Sequence, residues 1–101
     1  MLSYSLVVKL TAKPDRADDV AAFLAGALPL AEAEEFTPVW FAFRSGETTF
    51  YIVDAFASTR DRDRHLDGPI AAALMGKADE LLAEPPTIEK VDILASKVEK
   101  N

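Results

Sequence analysis

With 101 residues, 50% of them hydrophobic and 28% charged, the chain is long enough for one domain spanning residues 1–101 and too short for two. Its 17 acidic and 11 basic residues leave a net charge of -6, which repels phosphate backbones and anionic lipid and argues against nucleic-acid or membrane partners. Cysteine is absent, which excludes disulfides, thiolate nucleophiles and Cys-based metal sites, and fits a reducing compartment. No charged start followed by an apolar run resembles a signal peptide, and no apolar stretch reaches the roughly 18 residues that a membrane span needs. A soluble, cytoplasmic protein is therefore expected.

Ser3 to Ala12 alternates, with Tyr4, Leu6, Val8 and Leu10 on one side and Ser5, Val7, Lys9 and Thr11 on the other, which is strand periodicity. Lys13-Pro14-Asp15 stops that strand, and from about Asp15 the period becomes helical. Val20, Phe23, Leu24, Ala27, Leu28 and Ala31 form the apolar stripe, and Asp18 and Asp19 favour the positive N-terminal end. Pro29 predicts a kink or an early end. Glu32, Glu34 and Glu35 crowd the C-terminal end, where the helix dipole disfavours carboxylates, and local rules offer no reason for them.

Thr37 to Arg44 and Thr48 to Phe56 are aromatic-rich runs flanking Ser45-Gly46-Glu47, the pattern of a β-hairpin. Two helical segments follow. Ser58 is placed to cap the first, with Asp61 three residues on, and Asp67-Gly68-Pro69 separates it from the second. Ile70, Ala73, Leu74, Ala78, Leu81 and Leu82 make the buried stripe of that second helix, and Glu84-Pro85-Pro86 stops it. Thr87 to Ala95 alternates once more before a polar tail from Lys97 to Asn101.

The order β-α-β-β-α-β is the split βαβ arrangement of α+β, ferredoxin-like domains: a four-stranded antiparallel sheet with helices on one face. The other face reads as unusually apolar. Whichever register the hairpin takes, that face carries either Val39, Phe41 and Phe43 or Trp40 and Ala42, together with Val7, Val91 and Ile93. A wet sheet face alternates with polar residues, so this pattern predicts a covering partner, most simply a second copy across a two-fold axis. A monomer with a greasy sheet is the alternative.

The segments "LVVKLTAKPDRADDVAAFLAGALPLAEAE", "VWFAFRSGETTFYIVDAF", "RHLDGPIAAALM" and "LLAEPPTIEKVDILASK" together resemble the antibiotic biosynthesis monooxygenase family of dimeric α/β barrels, in order and over nearly the whole chain. The resemblance implies a ferredoxin-like protomer, a homodimer made sheet to sheet, and a small pocket between sheet and helices. It implies oxidation of a small aromatic or quinol with O2, with no metal, flavin, haem or other cofactor. Haem-degrading relatives of this fold use an Asn–Trp–His set, and the only asparagine here is Asn101. Fold likeness alone does not fix a reaction, so a non-catalytic dimeric barrel that binds a small hydrophobic ligand, or serves a stress-related role, is the competing expectation.

His65 is the only histidine, which leaves no His-based metal cluster within one chain. It stands in the "RHL" stretch where many family members carry a histidine, and the resemblance makes it the candidate base for a phenol or hydroquinone proton. Asp54 interrupts the apolar alternation of Phe50, Ile52 and Phe56 and needs a partner, either His65, whose ring it would orient, or a lysine or arginine. Trp40, Phe41, Phe43, Tyr51 and Leu74 are candidate pocket walls, with core or interface packing as the other reading. Arg44 is a candidate for a substrate anion or a plain surface ion pair, and Tyr4 a weaker candidate hydroxyl. The charges of "RDRDR" alternate in sign and describe a solvated helix face rather than a basic patch.

Overall fold

The computed structural model describes residues 1–98; residues 99–101, with Asn101 and the end of the polar tail, lie outside the described residues. Four strands, β1 (Tyr4–Thr11), β2 (Val39–Ser45), β3 (Thr49–Phe56) and β4 (Thr87–Asp92), form one sheet in the order β2-β3-β1-β4. Every neighbouring pair is antiparallel. The helices are α1 (Ala17–Gly26), α2 (Leu28–Glu32), α3 (Thr59–Leu66) and α4 (Pro69–Leu81), with a single 3-10 turn at Pro14–Arg16 before α1. This is the expected α+β, ferredoxin-like topology.

The helix breaks foreseen from proline and glycine are present. Pro29 occupies the first turn of α2, where its missing N–H costs nothing, so the chain bends after Ala27 and restarts. The restart keeps Ala27 and Ala31 buried but swings Leu28 outward to 47% exposure, correcting its place in the expected apolar stripe. Ser58 caps α3, its Oγ accepting from the Asp61 N–H at 3.1 Å. Gly68 is the N-cap residue of α4, with Pro69 at its start. At the other end of the chain, β4 stops at Asp92, three residues short of the expected strand; Leu94 is fully exposed.

Gly46 adopts φ 78° in the hairpin turn, a left-handed value that glycine reaches without steric cost. The turn fixes the register that the sequence left open: Trp40 opposes Asp54, Phe41 opposes Val53, and Phe43 opposes Tyr51. Leu6, Val8, Leu10, Phe50, Ile52, Asp54 and Phe56 consequently face the helices, and all are buried. Val8, Leu10, Phe50 and Ile52 pack with Val20, Leu24, Leu74, Leu81 and Leu82 as the core. Full burial of residues such as Phe50, Phe56 and Leu10 stabilises by about 1.5–3 kcal/mol each.

The opposite face holds Val7, Val39, Phe41, Phe43, Tyr51, Val53 and Val91, with no helix of the described residues over it. Phe41 and Phe43 stack on each other with ring centroids 5.4 Å apart while remaining 52% and 46% exposed. No helix among the described residues is long and apolar enough to cross a membrane.

Candidate active site

Three elements deliver ionisable side chains to one buried point under the sheet. Asp54 belongs to the inward row of β3, where the strand period of two leaves it no route to water, and it is 2% exposed. Its Oδ1 accepts the Leu6 N–H at 3.0 Å, and the Ser5 hydroxyl donates to its carbonyl, so β1 holds it from two sides. His65 is the one buried residue of helix α3, whose Arg60 to Arg64 are all charged. Its ring lies 5.4 Å from that of Phe56.

Glu34 comes from the turn after α2, where Glu34 N–H donates to Ala31 and Thr37 N–H donates to the Glu34 carbonyl, both at 3.1 Å. This turn carries the carboxylate inward. Glu34 Oε1 lies 2.6 Å from His65 Nδ1 and accepts the Thr37 hydroxyl at 2.8 Å. On the far side of the ring, His65 Nε2 is 3.2 Å from Asp54 Oδ2. That contact is an ion pair lying off the hydrogen-bonding axis, because Oδ2 makes no aligned hydrogen bond.

Burial alone would lower the His65 pKa, but the close approach of Asp54 and Glu34 and the charges of both carboxylates outweigh it and raise the value above the usual 6.5. The two carboxylates thus favour the protonated ring over the neutral one. Gly68 is part of the construction: a Cβ there would lie 2.9 Å from Glu34 Oε2 and 3.2 Å from the His65 carbonyl. No group of three or more metal-ligating side chains occurs among the described residues.

The structure brings Asp54 and His65 together as one of the sequence alternatives had it, and adds Glu34 and Thr37, which sequence reasoning missed. Glu34 did leave a signal, since a carboxylate at the unfavourable end of a helix invites a non-local explanation. Trp40 shares the helix-facing side with Asp54 and, with Leu28, Ala31, Glu34, Thr37 and Pro38, lines an open cleft of about 490 Å3. The other candidate wall residues are dispersed. Phe41 and Tyr51 lie on the opposite face of the sheet, because alternate strand residues point apart. Leu74 is in the central core.

Phe43 and Arg44 border a second, smaller cleft of about 150 Å3 between α1 and β2, with Ala21, Leu24, Ala25 and Phe50. Arg44 pairs with Asp18 at 3.5 Å, donates to the Glu47 carbonyl at 2.9 Å, and stacks over Phe50. It lies four positions after Trp40, about 13 Å along the strand, so it does not meet the His65 cluster. Tyr4 sits under the Arg62 guanidinium at 5.4 Å, and Arg64 covers Phe36 at 4.2 Å.

No family model matches the sequence, and no curated protein matches it. Solved structures do. The NE2512 protein of unknown function from Nitrosomonas europaea is 50% identical, with 100% of this chain and 98% of that one covered, at a TM-score of 0.97. Rv0793 from Mycobacterium tuberculosis is 16% identical at a TM-score of 0.83, over 95% of this chain and 99% of that one. A Caulobacter crescentus protein provisionally named an antibiotic biosynthesis monooxygenase is 20% identical at a TM-score of 0.79, over 93% and 92%. The chain therefore belongs to one family with the Nitrosomonas europaea protein of unknown function, and its fold is that of the antibiotic biosynthesis monooxygenases.

Proposed function

We propose that the chain is a cofactor-independent monooxygenase that oxidises a small aromatic or quinol with O2. The observation that carries this reading is the buried Asp54–His65–Glu34 cluster beside an open, partly aromatic cleft. Oxygenation without a metal or flavin needs an electron-rich anion, which arises when a phenol or hydroquinone gives up its proton. A cluster of paired carboxylates and imidazole next to a cleft is suited to receive that proton. Fold likeness to proteins provisionally named as monooxygenases points the same way.

The working unit in this proposal is a homodimer closed over the outer sheet face, supported by the uncovered Val7, Val39, Phe41, Phe43, Tyr51, Val53 and Val91. The cytoplasm is the proposed location, which suits a cysteine-free sequence.

Oxygen uptake with a panel of hydroquinones tests the reaction. Uptake that falls about a hundredfold or more in His65→Ala, with the fold intact by circular dichroism, is the expected result. Uptake equal in both proteins overturns the assignment of the cluster. The second reading, a non-catalytic barrel binding a small hydrophobic ligand, is favoured by one observation: both His65 ring nitrogens already face carboxylates. Binding of apolar aromatics with no O2 consumption would establish it.

A further inference from the structure

The three members of the buried cluster differ in what else they touch. Asp54 and His65 do not border the cleft beside α2, whereas Glu34 and its hydrogen-bonding neighbour Thr37 both line it. The two oxygens of Glu34 are also unequal. Oε1 is engaged by His65 Nδ1 and by the Thr37 hydroxyl. Oε2 is buried, with no hydrogen-bonding partner among the described residues. Trp40, on the same cleft, has a buried Nε1–H in the same condition. Buried polar groups are normally paired, so an unpaired acceptor and an unpaired donor on two residues that line one cleft are matched by a ligand offering the converse.

We propose that Glu34, rather than His65, is the catalytic residue that meets the substrate, and that the substrate is a phenol whose hydroxyl is shared between Glu34 Oε2 and Trp40 Nε1. The inference rests on the phenol-oxidising reading above and assigns its first step to particular atoms. The phenol O–H bond breaks, an Oε2–H bond forms, and the electron pair stays on the aryl oxygen, where the Trp40 N–H donates to it. The transfer takes negative charge from a buried carboxylate and places it on a delocalised ring. His65 and Thr37 are positioning residues: they saturate Oε1 and leave Oε2 for the substrate. Both Oε2 and Nε1 are shielded from water, so the proposal requires side-chain movement at the cleft when the phenol binds.

The test uses 4-nitrophenol, whose phenolate absorbs where the phenol does not, at a pH just below its ionisation range. Wild-type protein is expected to bind it and raise the phenolate band, whereas Glu34→Gln binds it as the neutral phenol. With hydroquinones, Glu34→Gln is expected to lower kcat for O2 uptake about a hundredfold or more. An equal phenolate band on the two proteins, or no binding by the wild type, overturns the inference even if O2 uptake is genuine. A band present on the wild type and lost in Glu34→Gln, without O2 uptake by either protein, keeps Glu34 as the proton acceptor and removes the oxygenase reading. If Glu34→Gln does not fold, Trp40→Phe replaces it, since it keeps the ring and removes only the N–H; an undiminished phenolate band there refutes the shared hydroxyl.

Discussion

Substituting Gly68 by alanine probes the site without replacing any of its ionisable groups. The backbone there has φ -89° and ψ -176°, which any residue adopts, so the effect on the folded state comes from contact and not from backbone strain. The new Cβ would lie 2.9 Å from Glu34 Oε2, 3.2 Å from the His65 carbonyl and 3.4 Å from the Arg64 carbonyl. The carbonyls belong to the last turns of α3 and cannot yield easily, so the carboxylate must. Ordinary contact begins at 3.4 Å, which requires a shift of about 0.5 Å from the 2.9 Å position. A shift of that size stretches the 2.6 Å Glu34–His65 contact. Overpacking of this kind costs about 1–3 kcal/mol, and the stiffer unfolded chain returns about 0.4–1 kcal/mol. A net loss of about 1–2 kcal/mol lowers Tm by roughly 4–15 °C in a domain of this size.

Two readouts belong together in that experiment. Thermal melting gives the stability, and NMR titration of the single histidine gives its pKa, which is expected to fall toward the ordinary value as Glu34 is displaced. Gly76→Ala is the matched control. It lies inside α4 with nothing within 4 Å of the added Cβ, so the same change there should stabilise by about 0.5–1 kcal/mol. If Gly68→Ala melts like Gly76→Ala and leaves the histidine titration unmoved, the close packing of Glu34 against Gly68 has been misread.

The raised pKa of His65 sets the sign of a pH effect: its stabilisation is complete below about 6.5 and disappears as pH rises through the folded-state value. Urea midpoints should therefore decline from about pH 6 toward alkaline pH in the wild type and stay flatter in His65→Ala; parallel curves would show that the ring does not titrate in this cluster. Ser58→Ala removes the cap of α3 and should cost about 1 kcal/mol in the same assay, with no loss meaning that the hydroxyl is replaceable by water. Phe43→Glu places a charge on the uncovered sheet face; sedimentation is expected to show dimer turning into monomer with the circular dichroism spectrum retained. A wild-type chain that already sediments as an 11.0 kDa species removes the partner-covered face.

Much of this molecule is legible from local pattern. The change of period between Thr11 and Val20 separates β1 from α1, and Pro29 and Gly68-Pro69 mark the helix breaks, because backbone preference acts on neighbours in the chain. The excess of apolar residues on the uncovered face was also countable in either hairpin register. The register itself was not, because moving the turn by one residue exchanges the faces of Trp40 and Phe41, and only pairing with β3 chooses between them. That choice places Trp40 beside Asp54 and sends Phe41 and Tyr51 to the other side.

The buried cluster belongs still more to the tertiary structure. Asp54 stood out because it broke an apolar row, and His65 because it was the only histidine. Glu34 is 31 residues from His65 in the chain, and its sequence surroundings suggested only a carboxylate at the wrong end of a helix. What the sequence by itself determined was the order of elements and the chemistry each one carries. Which carboxylates meet the His65 ring was decided by the packing of α2, α3 and β3, since burial and charge pairing depend on distances that chain spacing does not encode.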